Sequence, residues 1–110
     1  MEVNIHKGQE GVLVFTVTGR MDAVSAPELD THVDEQIADG EISFVVDLSG
    51  LEYISSAGLR SMLTMAKKLK EKDGTLKLCG LKGVVREVFD VSGFSTIFTI
   101  CDSLGDAVKG

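Results

Sequence analysis

The chain has 110 residues, 44% of them hydrophobic, which is enough apolar material to bury one core without metals or disulfides, so a single domain spanning residues 1–110 is expected. Its formal charge of −6 argues against nucleic acid, whose phosphates are met by clustered Lys and Arg, and favours protein partners with basic surfaces. No apolar run approaches the roughly 20 residues that cross a bilayer and residues 1–10 are polar, so a soluble, unprocessed, cytoplasmic protein with no membrane insertion is expected.

In chain order, Val3 and Ile5 alternate with polar residues, Gly8 to Gly11 offers a turn, and Val12 to Val17 is a β-favouring run. This is the pattern of an antiparallel hairpin, with Gly19-Arg20-Met21-Asp22 closing its second strand. Ser25 stands three residues ahead of Glu28 with Pro27 between them, a capping box that starts a helix. Ala26, Leu29, Val33 and Ile37 share one face of that helix, which the spacing predicts over 26–39, and Gly40 stops it.

The stretch from Phe44 to Lys70 organises the rest. Phe44, Val45 and Val46 form a short strand buried on both faces, ended near Asp47 or Leu48 by Ser49 and Gly50. Leu59, Met62, Leu63, Ala66 and Leu69 then recur at three-or-four spacing, so Leu59, Leu63 and Ala66 are expected to pack on the strand. Lys67, Lys68 and Lys70 suit the negative end of the helix dipole. Between strand and helix stand Ser55 and Ser56, where a serine can accept a hydrogen bond from a first-turn amide.

Asp73-Gly74 is a turn, Leu76, Leu78 and Cys79 a strand, and Val84, Val85, Val88 and Phe89 a third helix stopped by Gly93. A last short strand is expected near Phe98 and a final helix capped by Asp102. The alternation predicts an α/β domain with a mixed sheet of four to five strands and about four helices. In such a sheet the sites lie beyond the carboxyl ends of the strands, where the loops Gly19 to Ser25 and Ser49 to Gly58 should meet.

The chemistry of an enzyme is missing from the pattern. His6 and His32 have no cysteine or carboxylate at metal-ligand spacing, and Cys79 and Cys101 match neither a zinc pattern nor a disulfide framework and read as buried thiols. Ser56 has no nucleophile elbow and no assignable base. No glycine-rich phosphate loop follows a strand, so no cofactor, no metal and no catalytic residue are expected.

Asp47-Leu48-Ser49-Gly50-Leu51 followed by Ile54-Ser55-Ser56-Ala57-Gly58-Leu59 resembles the central motif of bacterial anti-sigma factor antagonists, the STAS domain family. Gly19 to Asp22 resembles the family's glycine-to-aspartate loop, and Val85 to Phe94 its third-helix signature. The resemblance implies a regulator that binds an anti-sigma factor, itself a serine kinase of the ATPase type, and so releases a sigma factor. Phosphorylation of one serine ends the interaction and a serine phosphatase restores it. The family's phosphorylated serine falls on Ser56, and the aspartate that often precedes it is replaced here by Ser55. Asp22, Ser55, Ser56, Ala57, Gly58, Leu59 and Arg60 are the partner-binding residues the resemblance implies. By spacing alone the serine pair reads as a helix cap and Arg60 as a solvated residue. Two other readings fit the pattern: a STAS scaffold or transport-complex subunit without a sigma factor, and a receiver-like phosphoprotein with Asp47 as acceptor.

Overall fold

In the computed structural model, residues 1–8 and 11–109 are described. Five strands, β1 (Glu2–Lys7), β2 (Leu13–Met21), β3 (Ser43–Ile54), β4 (Thr75–Cys79) and β5 (Thr99–Cys101), form one sheet in the order β1-β2-β3-β4-β5. β1 pairs antiparallel with β2, and the other ladders are parallel. Four α-helices return the chain among the described residues: α1 (Ala26–Ala38), α2 (Ser56–Glu71), α3 (Gly83–Val91) and α4 (Leu104–Val108). The mixed α/β sheet is the expected one. The hairpin is present as β1 and β2, although residues 9 and 10 of its expected turn lie outside the described residues.

Parallel neighbours joined by right-handed crossovers stack their helices on one face. The main core accordingly holds Leu29 and Val33 of α1, Met62, Met65 and Leu69 of α2, and Val85 and Phe89 of α3 against Phe15, Val17, Phe44, Val46 and Leu78 of the sheet. Phe15 and Phe44 meet at 4.9 Å between ring centroids. On the opposite face α4 alone, among the described residues, contributes a helix, setting Ala107 over Val14, Val45 and Cys79.

Several expectations are corrected. β3 does not stop at Asp47 or Leu48 but runs to Ile54, because Leu48, Leu51 and Ile54 all bury. Its register with β2 shifts twice, so β3 carries extra residues. Gly50 permits this: a Cβ there would lie 2.6 Å from Thr18 Cγ2. β2 likewise continues through Gly19 and Arg20 to Met21. On α2 the inward face is Leu59, Met62, Met65 and Leu69, while Leu63 is partly exposed. The packing of Leu63 on the strand is therefore replaced by that of Met65, which is buried in the main core. After Gly93, the expected stop, whose backbone is left-handed at φ 81°, a 3-10 turn (Phe94–Thr96) precedes β5. The final helix is capped by Ser103, whose Oγ accepts from Asp106 N, and not by Asp102.

Candidate functional site

At the carboxyl end of the sheet β2 and β3 finish side by side, with Met21 opposite Ile54. One backbone bond ties the two strand ends together: Ser55 N–H donates to the Met21 carbonyl at 2.9 Å. Asp22 and Ser55 thus leave the sheet from adjacent positions, which brings the two loops together as expected, each shorter than the spacing predicts.

Asp22 organises the first loop. Its Oδ1 accepts from Val24 N and Ser25 N, both at 3.0 Å, and its carbonyl accepts from Ala26 N at 2.8 Å. Those bonds close a turn that leads into α1, whose N-cap position is Ser25. The capping box at Ser25 and Glu28 does not form. Ser25 has helical backbone angles and makes no side-chain cap bond. Its Oγ turns back instead, accepting from Asp22 N at 2.9 Å and lying 3.0 Å from the Arg20 carbonyl. These bonds, first from the Ser25 amide and then from its hydroxyl and Val24, hold the Asp22 carboxyl below the usual carboxylate range. The aspartate is ionised and fixed at neutral pH.

The two serines have different roles. Ser55 is the N-cap of α2, extended at φ −92° and ψ 176°, and its Oγ accepts from Gly58 N at 3.2 Å. Ser56 is the first helical residue and is exposed, and no hydrogen bond among the described residues engages its hydroxyl. A phosphate placed there would face the positive end of α2. Ala57 is half-buried and Arg60 exposed, whereas Gly58 and Leu59 lie beneath the surface, Leu59 in the main core. Gly58 is a close-packing position, since a Cβ would stand 2.8 Å from Ile54 Cγ1 and 3.0 Å from the Met21 carbonyl oxygen.

Beside Ser56 a shallow groove of about 220 Å³ runs between α1 and α2, with Ala23, Pro27 and Asp30 on one wall and Ala57, Arg60 and Thr64 on the other. Val24, 90% exposed, projects from the Asp22 loop. Sequence reasoning missed Val24 and this groove; the available signal was an apolar residue inside a polar capping loop. Among the described residues no group of three or more His, Cys, Asp or Glu could hold a metal ion, and no helix is long and apolar enough to cross a membrane. Asp47, the acceptor of a receiver-like reading, accepts from Ser49 N at 3.0 Å as a turn residue would.

The family model for the STAS domain matches residues 5–107. The chain belongs to the STAS domain family. BtrV of Bordetella bronchiseptica is 44% identical over 94 residues, 86% of this chain and 81% of that protein. The anti-sigma-F factor antagonist RsfB of Mycobacterium tuberculosis is 28% identical over 102 residues, 91% of this chain and 81% of that one. The crystal structure of an anti-sigma factor antagonist from Mycobacterium paratuberculosis superposes with a TM-score of 0.87 at 27% identity, covering 98% of this STAS chain and 91% of that one.

Proposed function

We propose that this STAS protein is a cytoplasmic anti-sigma factor antagonist. It binds a serine-kinase anti-sigma factor of the ATPase type, so freeing a sigma factor, and is switched off when that kinase phosphorylates Ser56. The carrying observation is the division of labour between the serines: Ser55 is committed to the cap of α2, while Ser56 is exposed with its hydroxyl uncommitted. The names of the relatives, RsfB among them, support the same reading.

The contact surface is Asp22, Ser55, Ser56, Ala57 and Arg60, with Val24 as an apolar contact. Gly58 and Leu59 serve it from below by seating the first turn of α2. A phosphate adds about −1.5 to −2 charges at neutral pH. The amides of the α2 first turn stabilise that charge within the protein, so the fold tolerates it. Asp22, fixed and ionised beside the site, makes the local surface more acidic still, and a partner surface matched to the unmodified face then meets repulsion and desolvated charge. A serine phosphatase returns the protein to its binding form.

The test uses two variants and the anti-sigma factor kinase with ATP. Ser56→Ala is expected to stay folded and bind the kinase but accept no phosphate, and Ser56→Glu to stay folded and lose binding. Circular dichroism checks folding, titration calorimetry the binding, and mass spectrometry the modification. Phosphate found on Ser55 of the Ser56→Ala protein would overturn the residue assignment, and tight binding by a folded Ser56→Glu protein would overturn the switch.

A further inference from the structure

β4 and β5 end in a pair of thiols. Cys79 and Cys101 are far apart in sequence, yet they are register partners across the parallel β4–β5 ladder. Both pack with Ala107, Leu104 and Val108 of α4, so both side chains leave the sheet on the same face. Neighbouring strands run ~4.7–4.9 Å apart, inside the ~4.4–6.8 Å Cα separation that a disulfide spans. Both thiols are free; Cys79 is buried and Cys101 partly exposed. Burial above all, with Asp47 and Cys101 behind it, pushes the Cys79 thiol up to about 11. Cys101 is therefore the sulfur an oxidant from solvent reaches first, with a second sulfur next to it.

We propose that Cys79 and Cys101 form a dithiol that hydrogen peroxide closes into a disulfide, a modification site on the opposite face of the sheet from Ser56. Cys101 Sγ, as thiolate, attacks one peroxide oxygen: the S–O bond forms, the O–O bond breaks, and the departing hydroxide takes up the thiol proton to give water. Cys79 Sγ then attacks the sulfenic sulfur, the S–S bond forms and the S–O bond breaks. The second hydroxide leaves with the Cys79 proton as water. Two thiols lose two electrons and one peroxide becomes two waters. The bridge fastens β5, an edge strand of three residues, to β4. It also joins the two ends of the crossover that carries α3, whose Val84 and Val91 are 55% and 83% exposed.

The reduced protein is treated with hydrogen peroxide and alkylated with iodoacetamide under denaturing conditions. The expected product is a monomer lighter by two hydrogens, closed to alkylation at both positions, giving a Cys79–Cys101 linked peptide that dithiothreitol releases. Its thermal midpoint lies above that of the reduced protein, a rise that Cys101→Ser does not show. In Cys79→Ser, or Cys79→Ala should serine at this buried position prevent folding, oxidation halts at a sulfenic acid on Cys101 that dimedone traps. Two alkylatable thiols after peroxide, a sulfinic acid on Cys101 beside a free Cys79, or disulfides only between molecules would each overturn the proposal, and the wild-type peptide map alone distinguishes these outcomes.

Discussion

Replacing Gly58 by alanine sets two effects of known size against each other. In the first turn of a helix, alanine removes glycine's extra backbone freedom and should gain about 0.5–1 kcal/mol. The added Cβ, however, would stand 2.8 Å from Ile54 Cγ1, 3.0 Å from Met21 Cγ and 3.0 Å from the Met21 carbonyl oxygen. Ile54 and Met21 are 2% and 0% exposed, so neither has open space to move into. The carbonyl accepts the Ser55 amide at 2.9 Å, and moving it strains the bond that joins the two loops. Overpacking of this kind costs about 1–3 kcal/mol. The clash wins, and Gly58→Ala should lose about 0.5–2 kcal/mol net, a fall in thermal midpoint of ~4 °C for each kcal/mol in a protein of this size. Urea unfolding with the m-value held fixed measures it. On the proposed function, kinase binding should weaken as well, because the start of α2 shifts under Ser56. A urea midpoint equal to or above that of the parent would refute the packing described at this joint.

Two further outcomes rest on the same geometry. Met65→Ala should cost about 2–5 kcal/mol because its side chain is buried in the main core, and Leu63→Ala clearly less because Leu63 is partly exposed; urea midpoints in the reverse order would refute the orientation of α2. The Asp22 carboxyl, held low by the Ser25 and Val24 bonds, is depressed on folding, so its contribution is complete above the ordinary carboxylate value and is lost as pH falls through the folded one. Asp22→Asn keeps an acceptor for the Val24 and Ser25 amides but cannot titrate, and should flatten the decline of the urea midpoint below about pH 4; an unaltered acid limb would show that Asp22 is not held as described.

The order of strands and helices was legible because each element carries its own period and its own stop, as Gly93 shows with its left-handed backbone. What misled is equally local. Ser49 and Gly50 read as strand breakers, but they form a bulge that lets Leu51 and Ile54 return to the core. Ser25 and Glu28 fit a capping box, but the Ser25 hydroxyl is held by Asp22 N and the Arg20 carbonyl and makes no cap bond. Leu63 and Met65 both satisfy three-or-four spacing with parts of the α2 stripe, and only the packed fold shows Met65 in the main core and Leu63 partly exposed. At the candidate site the resemblance implied Ser56, but spacing alone could not separate the capping serine from the exposed one, a distinction that rests on a single bond to Gly58 N. The thiol pair had no local signal, because β4–β5 register alone brings it together.

The strand order has a consequence for the shape of what can bind. Ligand crevices in open α/β sheets form where successive crossovers part to opposite faces and the strand sequence turns back on itself. Here β2, β3, β4 and β5 follow one another in chain order, and α1, α2 and α3 all cover the same face. The three crossover helices never diverge, so no crevice of that kind opens between β2 and β3, and Ser56 stands exposed beside the shallow groove of α1 and α2. Such an edge offers little to enclose a nucleotide or metabolite and leaves its exposed residues to meet a surface rather than to line a pocket.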